Sequence, residues 1–355
     1  MSAPLAALLL LAACAAPEAP LQARWVAAVD GDDAARAAVG LAWSWALLGG
    51  AAPAPTTEGG DRATFTIDPD ALGLDARASE ALAAALGPLR ASDEHATTGA
   101  VDLGRLLAYT LHSPGRYYAI TGACATVSDW QATRLGAVDA DVTVTRSLLV
   151  DGPRAVRWSV ARPALSATVD GVEHEVVDGM ANGVARYAVY GADGGLAPYA
   201  LHTAAGQPGR CAWCHERGLQ RPADSDPEWA RMDVAFDAIE ARMWATSRAA
   251  GVPVDDPLAH EEGERIVLDF LEPTARRVAA EWGVSVASVV ALDLPTHVND
   301  EYPDSGLRFR RADVDAADPR GIAHLATVAD GRGADPAATL EGAEELGPCP
   351  DDGDE

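Results

Sequence analysis

Lysine is missing from this chain of 355 residues: all 27 basic residues are arginine. Together with the abundance of alanine, that points to a GC-rich genome more than to a chemical role. Positive charge is scarce against 53 acidic residues, and the formal net charge of −26 argues against a nucleic-acid partner, whose phosphates would be repelled. A basic protein partner would suit it. The N-terminal apolar run, Leu5 to Ala13, is too short to span a bilayer as a permanent helix, and Met1-Ser2-Ala3-Pro4 before it carries no basic residue. There is no internal repeat, no Gly-x-Ser-x-Gly elbow and no phosphate-binding glycine loop. His260-Glu261-Glu262-Gly263-Glu264 is not His-Glu-x-x-His, because its fifth residue is Glu. Asn299-Asp300-Glu301 with Asp304 lacks the ordered alternation of a calcium loop.

What is present can fold. Hydrophobic residues make up 48% and charged residues 23%, enough for one large or two ordinary domains with real cores. Leu21 to Leu48, rich in alanine with Trp25, Leu41, Trp43 and Trp45, is consistent with helices broken around Asp30-Gly31-Asp32. Ser79 to Ala85 predicts a helix that stops at Gly87-Pro88. Asp102 opens a clear helix with Leu103, Leu106, Leu107 and Leu111 on one face, ended by Ser113-Pro114-Gly115. The middle changes character: Val142-Thr143-Val144-Thr145 and Val156, Trp158, Val160 alternate as half-buried strands. Arg186 to Tyr190 and Ala197 to His202 predict a hairpin about Ala192-Asp193-Gly194-Gly195. Asp226-Pro227-Glu228 is a strong helix start. Behind it, Trp229, Met232, Phe236, Ile239 and Met243 form one apolar stripe that Gly251 closes. A further helix is expected from Glu261 to Leu271, and beyond Pro295 the chain reads as irregular and acidic.

The expected fold class is therefore α+β. Residues 14–115 read as helical, 116–205 as β-rich, 206–330 as a helical part around a cysteine motif, and 331–355 as an acidic, disordered tail.

That motif is Cys211-Ala212-Trp213-Cys214-His215, which resembles the haem attachment site of c-type cytochromes. In that family each thiol forms a thioether to a porphyrin vinyl group, and the adjacent histidine is the proximal iron ligand. The resemblance implies one covalent haem c on Cys211 and Cys214, with His215 on the iron and a redox protein as partner. On the residues alone, a vicinal disulfide, a zinc half-site or a thioredoxin-like pair stay open. No second Cys or His pair follows for zinc, and no βαβ pattern surrounds the motif. The resemblance covers five residues. Small soluble cytochromes c carry the motif near the start of a helical domain, with a ligand methionine about sixty residues later; this chain has neither feature. Met232, Met243 and His202 are the candidate distal ligands, with the lone histidines His260 and His297 behind them. Five-coordinate iron, which would permit peroxidase or oxidase chemistry, is equally allowed. Arg210 and Arg221 flank the motif where propionates could pair with them, and Trp213 would pack on the porphyrin edge or the hairpin.

Leu11-Ala12-Ala13-Cys14 resembles the lipobox of bacterial lipoproteins. It implies a signal peptide over 1–13, acylation of Cys14, and a place in the bacterial cell envelope, periplasmic or on the outer membrane, tethered to the membrane by lipid. The missing basic residues before it depart from that pattern. With Cys14, Cys211 and Cys214 given these roles, Cys124 and Cys349 are left as a candidate disulfide in an oxidising compartment. A surface lipoprotein without haem, with Cys211 and Cys214 joined, is the third reading.

Overall fold

A computed structural model of the chain describes residues 19–29, 31–50, 60–146, 151–169, 171–201, 211, 215, 219, 227–298, 306–325, 339–344 and 346–349. Strand β1 (Leu21–Val26) comes first, where a helix was expected. Its sequence alternates, so Leu21, Ala23 and Trp25 enter the core while Gln22 and Arg24 stay half-buried. It pairs antiparallel with β2 (Arg62–Ile67) and parallel with β3 (Val101–Asp102), a sheet inside the region read as purely helical. Period-two burial against partners some forty and eighty residues away outweighs the helical propensity of alanine.

Helix α1 (Ala34–Ala46) follows, its first turn capped by the Asp33 carboxylate. Helix α2 (Ala76–Arg90) runs through Gly87-Pro88 rather than stopping there. A proline inside a helix costs about 3 kcal/mol; burial of Leu82, Leu86 and Leu89 offsets it. After α3 (Asp93–Thr98), helix α4 (Leu103–Leu111) begins where expected, with the Asp102 carboxylate accepting from the Gly104 and Arg105 N–H groups. Pro114 then serves as the first residue of a new helix, α5 (Pro114–Thr121), which the sequence reading did not contain, and the short α6 (Val127–Trp130) follows it.

The β-rich middle is an antiparallel meander in sequence order: β4 (Ala140–Arg146), β5 (Asp151–Ser159), β6 (Ala164–Val169), β7 (Glu173–Gly179) and β8 (Ala185–Tyr190). The expected hairpin partner of β8 is not a strand. The turn forms, with a bridge from Tyr190 to Leu196 and an Ala197 N–H bond to the Val189 carbonyl, and pairing ends there. The edge of β8 is satisfied otherwise: the Tyr187 and Val189 N–H groups donate to the Tyr117 and Tyr118 hydroxyls, each at 3.1 Å. Side chains of α5 thus occupy donors that another strand would use.

Helix α7 (Pro227–Ala249) carries the predicted stripe, with Met232, Phe236, Ile239 and Met243 buried. Helix α8 (Ala259–Leu271) packs across α1 and α4. Then come α9 (Ala275–Trp282), α10 (Val286–Val290), a hairpin of β9 (Thr296–Val298) and β10 (Leu307–Phe309), and α11 (Arg311–Ala316). The hairpin and α11 stand in the stretch expected to be irregular beyond Pro295, and with α9 and α10 they enclose a small core of Val278, Trp282, Val289, Phe309 and Val314. The whole is α+β. Among the described residues no helix is long and apolar enough to cross a membrane.

The expected disordered tail also differs in part. Residues 339–344 and 346–349 lie against α5, and Cys349 is bonded to Cys124, 225 residues earlier. Contact is close because Gly115 has no side chain: a Cβ there would sit 2.2 Å from the Glu341 carbonyl oxygen. Arg116 pairs with Glu341 at 2.7 Å, and Gly347 accepts from the Ala125 N–H.

Candidate functional site

One cleft gathers residues from distant parts of the chain. Trp43 and Leu47 come from α1, Gly183, Val184, Ala185 and Tyr187 from the turn into β8 and from β8 itself, and Glu240, Met243, Trp244 and Ser247 from α7; His215, Leu219 and Val254 complete the wall. Its volume is about 490 Å³ with the open mouth included. Gly183 permits the construction. At φ +79° it takes a conformation that favours glycine, and a Cβ there would lie 2.4 Å from the Met243 carbonyl oxygen and the Ser247 nitrogen. The β-turn therefore presses directly on α7.

His215 of the cysteine motif lines the cleft, and the Cys211 carbonyl accepts from the His215 N–H at 3.0 Å. Cys211 is half-buried against the main core, beside Tyr117 and Tyr118. Burial pushes both tyrosine hydroxyls well above their ordinary range, and the Cys211 sulfur adds to the rise. His215 lies in the cleft with its imidazole stacked on the Tyr187 ring, centroids 5.8 Å apart and planes 22° from parallel. Four residues on, the Leu219 N–H donates to the Glu240 carboxylate and ties this segment to α7.

No family model, curated protein or solved structure matches the chain.

Of the candidate distal ligands, the cleft holds Met243. Its Cγ and Cε lie 3.5 and 3.6 Å from where a Cβ of Gly179 would be, so a small residue leaves room for the thioether. Met232 is buried in the core and is not among the residues lining the cleft. Eleven residues earlier on the same helix, it is displaced by about 16 Å along the axis. His260 is within α8 rather than a loop, edge-on to Trp43 and near Glu261, and His297 is on β9 beside Glu272. Cys14, His202, Arg210, Trp213, Cys214 and Arg221 lie outside the described residues. Among the described residues, no three His, Cys, Asp or Glu side chains gather in metal-holding geometry.

An iron porphyrin is chemically compatible with this donor set: an imidazole and a thioether in one cleft with largely apolar and aromatic walls, and a cysteine whose carbonyl accepts from the N–H of that histidine. Sequence reasoning missed Trp43, Tyr187, Glu240 and Trp244. Tyr187 carried a usable signal, the alternation of Arg186 to Tyr190; the others become neighbours only when α1 and α7 meet.

Proposed function

We propose that the protein is an exported, lipid-anchored monohaem c-type cytochrome that passes single electrons to a partner protein. Supporting it above all is the shared position of His215 and Met243 in one cleft, with His215 belonging to a Cys-x-x-Cys-His pentad. Cys211 and Cys214 would hold the haem by thioethers and His215 would be the proximal ligand, with Met243 the favoured distal one. The haem, when bound, supplies a one-electron iron couple. Trp43, Leu47, Val184 and Leu219 would give the group an apolar surrounding, and a methionine ligand would raise its potential. A thioether within the cleft favours electron transfer over peroxidase or oxidase chemistry, which needs an open position.

The Cys124–Cys349 disulfide supports export, since such bonds persist in oxidising compartments. Cys14 would carry the lipid and place the protein in the cell envelope. The net charge of −26 favours a redox partner with a basic docking face and disfavours nucleic acid.

The test is a pyridine haemochrome spectrum of full-length protein matured in a host able to attach haem c. A spectrum of the two-thioether type, with the mass of one added haem, is the expected result. A colourless protein of unmodified mass from that host overturns the reading.

A further inference from the structure

We infer that Tyr187 is a positioning residue for His215, its backbone fastened to α5 so that its ring sets the plane of the imidazole. The inference rests on the proposed haem reading only for its consequence, since the stack itself involves nothing but this chain. Tyr187 is buried, and its ring lies nearly parallel to the imidazole at 5.8 Å, an offset stack.

What makes the ring a fixed reference is the way β8 is fastened. The Tyr187 N–H donates to the Tyr117 hydroxyl and the Val189 N–H to the Tyr118 hydroxyl. One residue before them, the Arg186 guanidinium donates to the carbonyls of Thr121 and Gly122 at the end of α5, and to the Asp178 carboxylate on β7. Trp130 Nε1 donates to the same carboxylate at 2.7 Å. Attachments to α5 from Arg186, Tyr187 and Val189 leave the strand little freedom to slide or roll. The opposite side of the motif is fastened too, through Leu219 and Glu240.

The imidazole therefore lies beside a ring whose backbone is anchored. A ligand's orientation and basicity follow the groups that restrain it, so removing the ring frees the His215 plane and alters the balance between the two iron states.

Two measurements test this. In the haem-free full-length chain, nuclear Overhauser contacts between the Tyr187 and His215 rings are expected, with the His215 ring protons shifted upfield by the tyrosine. Tyr187→Phe keeps both signals, Tyr187→Leu loses them, and Tyr117→Phe broadens them. In matured protein, Tyr187→Leu moves the midpoint potential while Tyr187→Phe leaves it close to the unsubstituted value. Absent ring contacts in the unsubstituted chain overturn the inference, and they are measurable even if Tyr187→Leu fails to fold. An unchanged potential and unchanged His215 resonances in a folded Tyr187→Leu overturn it as well. A negative haemochrome result would sink the haem reading alone, because the ring contacts are read without haem.

Discussion

The cleft and the C-terminal unit of residues 273–298 and 306–325 are fastened in different proportions of neutral contact and charge. Around the cleft the fastenings are mostly tyrosine hydroxyls, a stacked ring pair, tight glycine contacts and a disulfide beside α5, with the buried Arg186–Asp178 pair among them. The C-terminal unit is fastened by buried charge. Arg277 reaches Asp102 at 2.7 Å, Arg308 reaches Asp269 at 2.7 Å, and Arg311 grips Glu281 with both terminal nitrogens. Arg105 bridges Glu94 and Asp315, and both Arg105 and Arg311 face the ring of Phe270, at 4.8 and 4.2 Å.

Taking charges out of water costs several kcal/mol per ion, so such pairs add little net stability but are costly to leave half-broken. They specify which surfaces meet. The cleft side, by contrast, relies mainly on neutral hydrogen bonds, ring contacts and the disulfide, with Arg186–Asp178 as a buried ion pair beside them. Proton concentration should therefore disturb the C-terminal unit first, and a thiol reductant the cleft side first.

The largest effect expected is from Arg277→Ala. It leaves Asp102 fully buried without its guanidinium partner and strips the Val26 carbonyl of a donor. A loss of about 3–5 kcal/mol in denaturant unfolding is expected, and a loss below about 1 kcal/mol would mean that the buried charges are not what fastens this unit. Next comes the double substitution Cys124→Ser with Cys349→Ser. Releasing a closure of 225 residues should cost about 2–4 kcal/mol. It should free residues 339–349 to protease while leaving the C-terminal unit protected, as limited proteolysis would report. Equal exposure of both regions would erase the contrast.

The smallest expected effect is the acid slope. Burial alone would raise Glu281, but Arg311, Arg277 and Arg105 outweigh it and hold the carboxyl down at about 2. A carboxylate lowered in the folded state contributes stability above its unfolded pKa of about 4.3, and that contribution is lost as pH falls toward about 2. Glu94 and Asp269 run the other way: burial raises both, so they favour the folded state toward low pH. Unfolding free energy should therefore fall only gently between pH 4.3 and 2, and Glu281→Gln should flatten it further. A steep loss that survives Glu281→Gln would place the acid-sensitive group elsewhere.

Where a residue's structural role depends on its near neighbours, it was legible. Asp102 and Pro227 announced their helix starts because capping and the fixed φ of proline act within one turn. The stripe from Met232 to Met243 follows from helical period alone, and alternation marked β4, β5 and β8 while β6 and β7 went unread. Leu21 to Val26 was misread because its partners lie on distant strands, and Pro114 because it both ends one helix and starts the next. In the candidate site, the pentad was visible as five adjacent letters. Met243 was one methionine among several candidates until the fold put it in the cleft with His215.

By itself, the sequence determined the α+β class, the acidic composition, the helix starts at Asp102 and Pro227, and the presence of the Cys-x-x-Cys-His pentad, because each depends on composition or on residues a few positions apart. Only tertiary structure decided that Tyr187 faces His215, that Met243 rather than Met232 shares the cleft, and that Cys349 returns to Cys124. Those contacts join residues up to 225 positions apart, and which distant pairs meet is set by how whole faces pack, which no local pattern encodes.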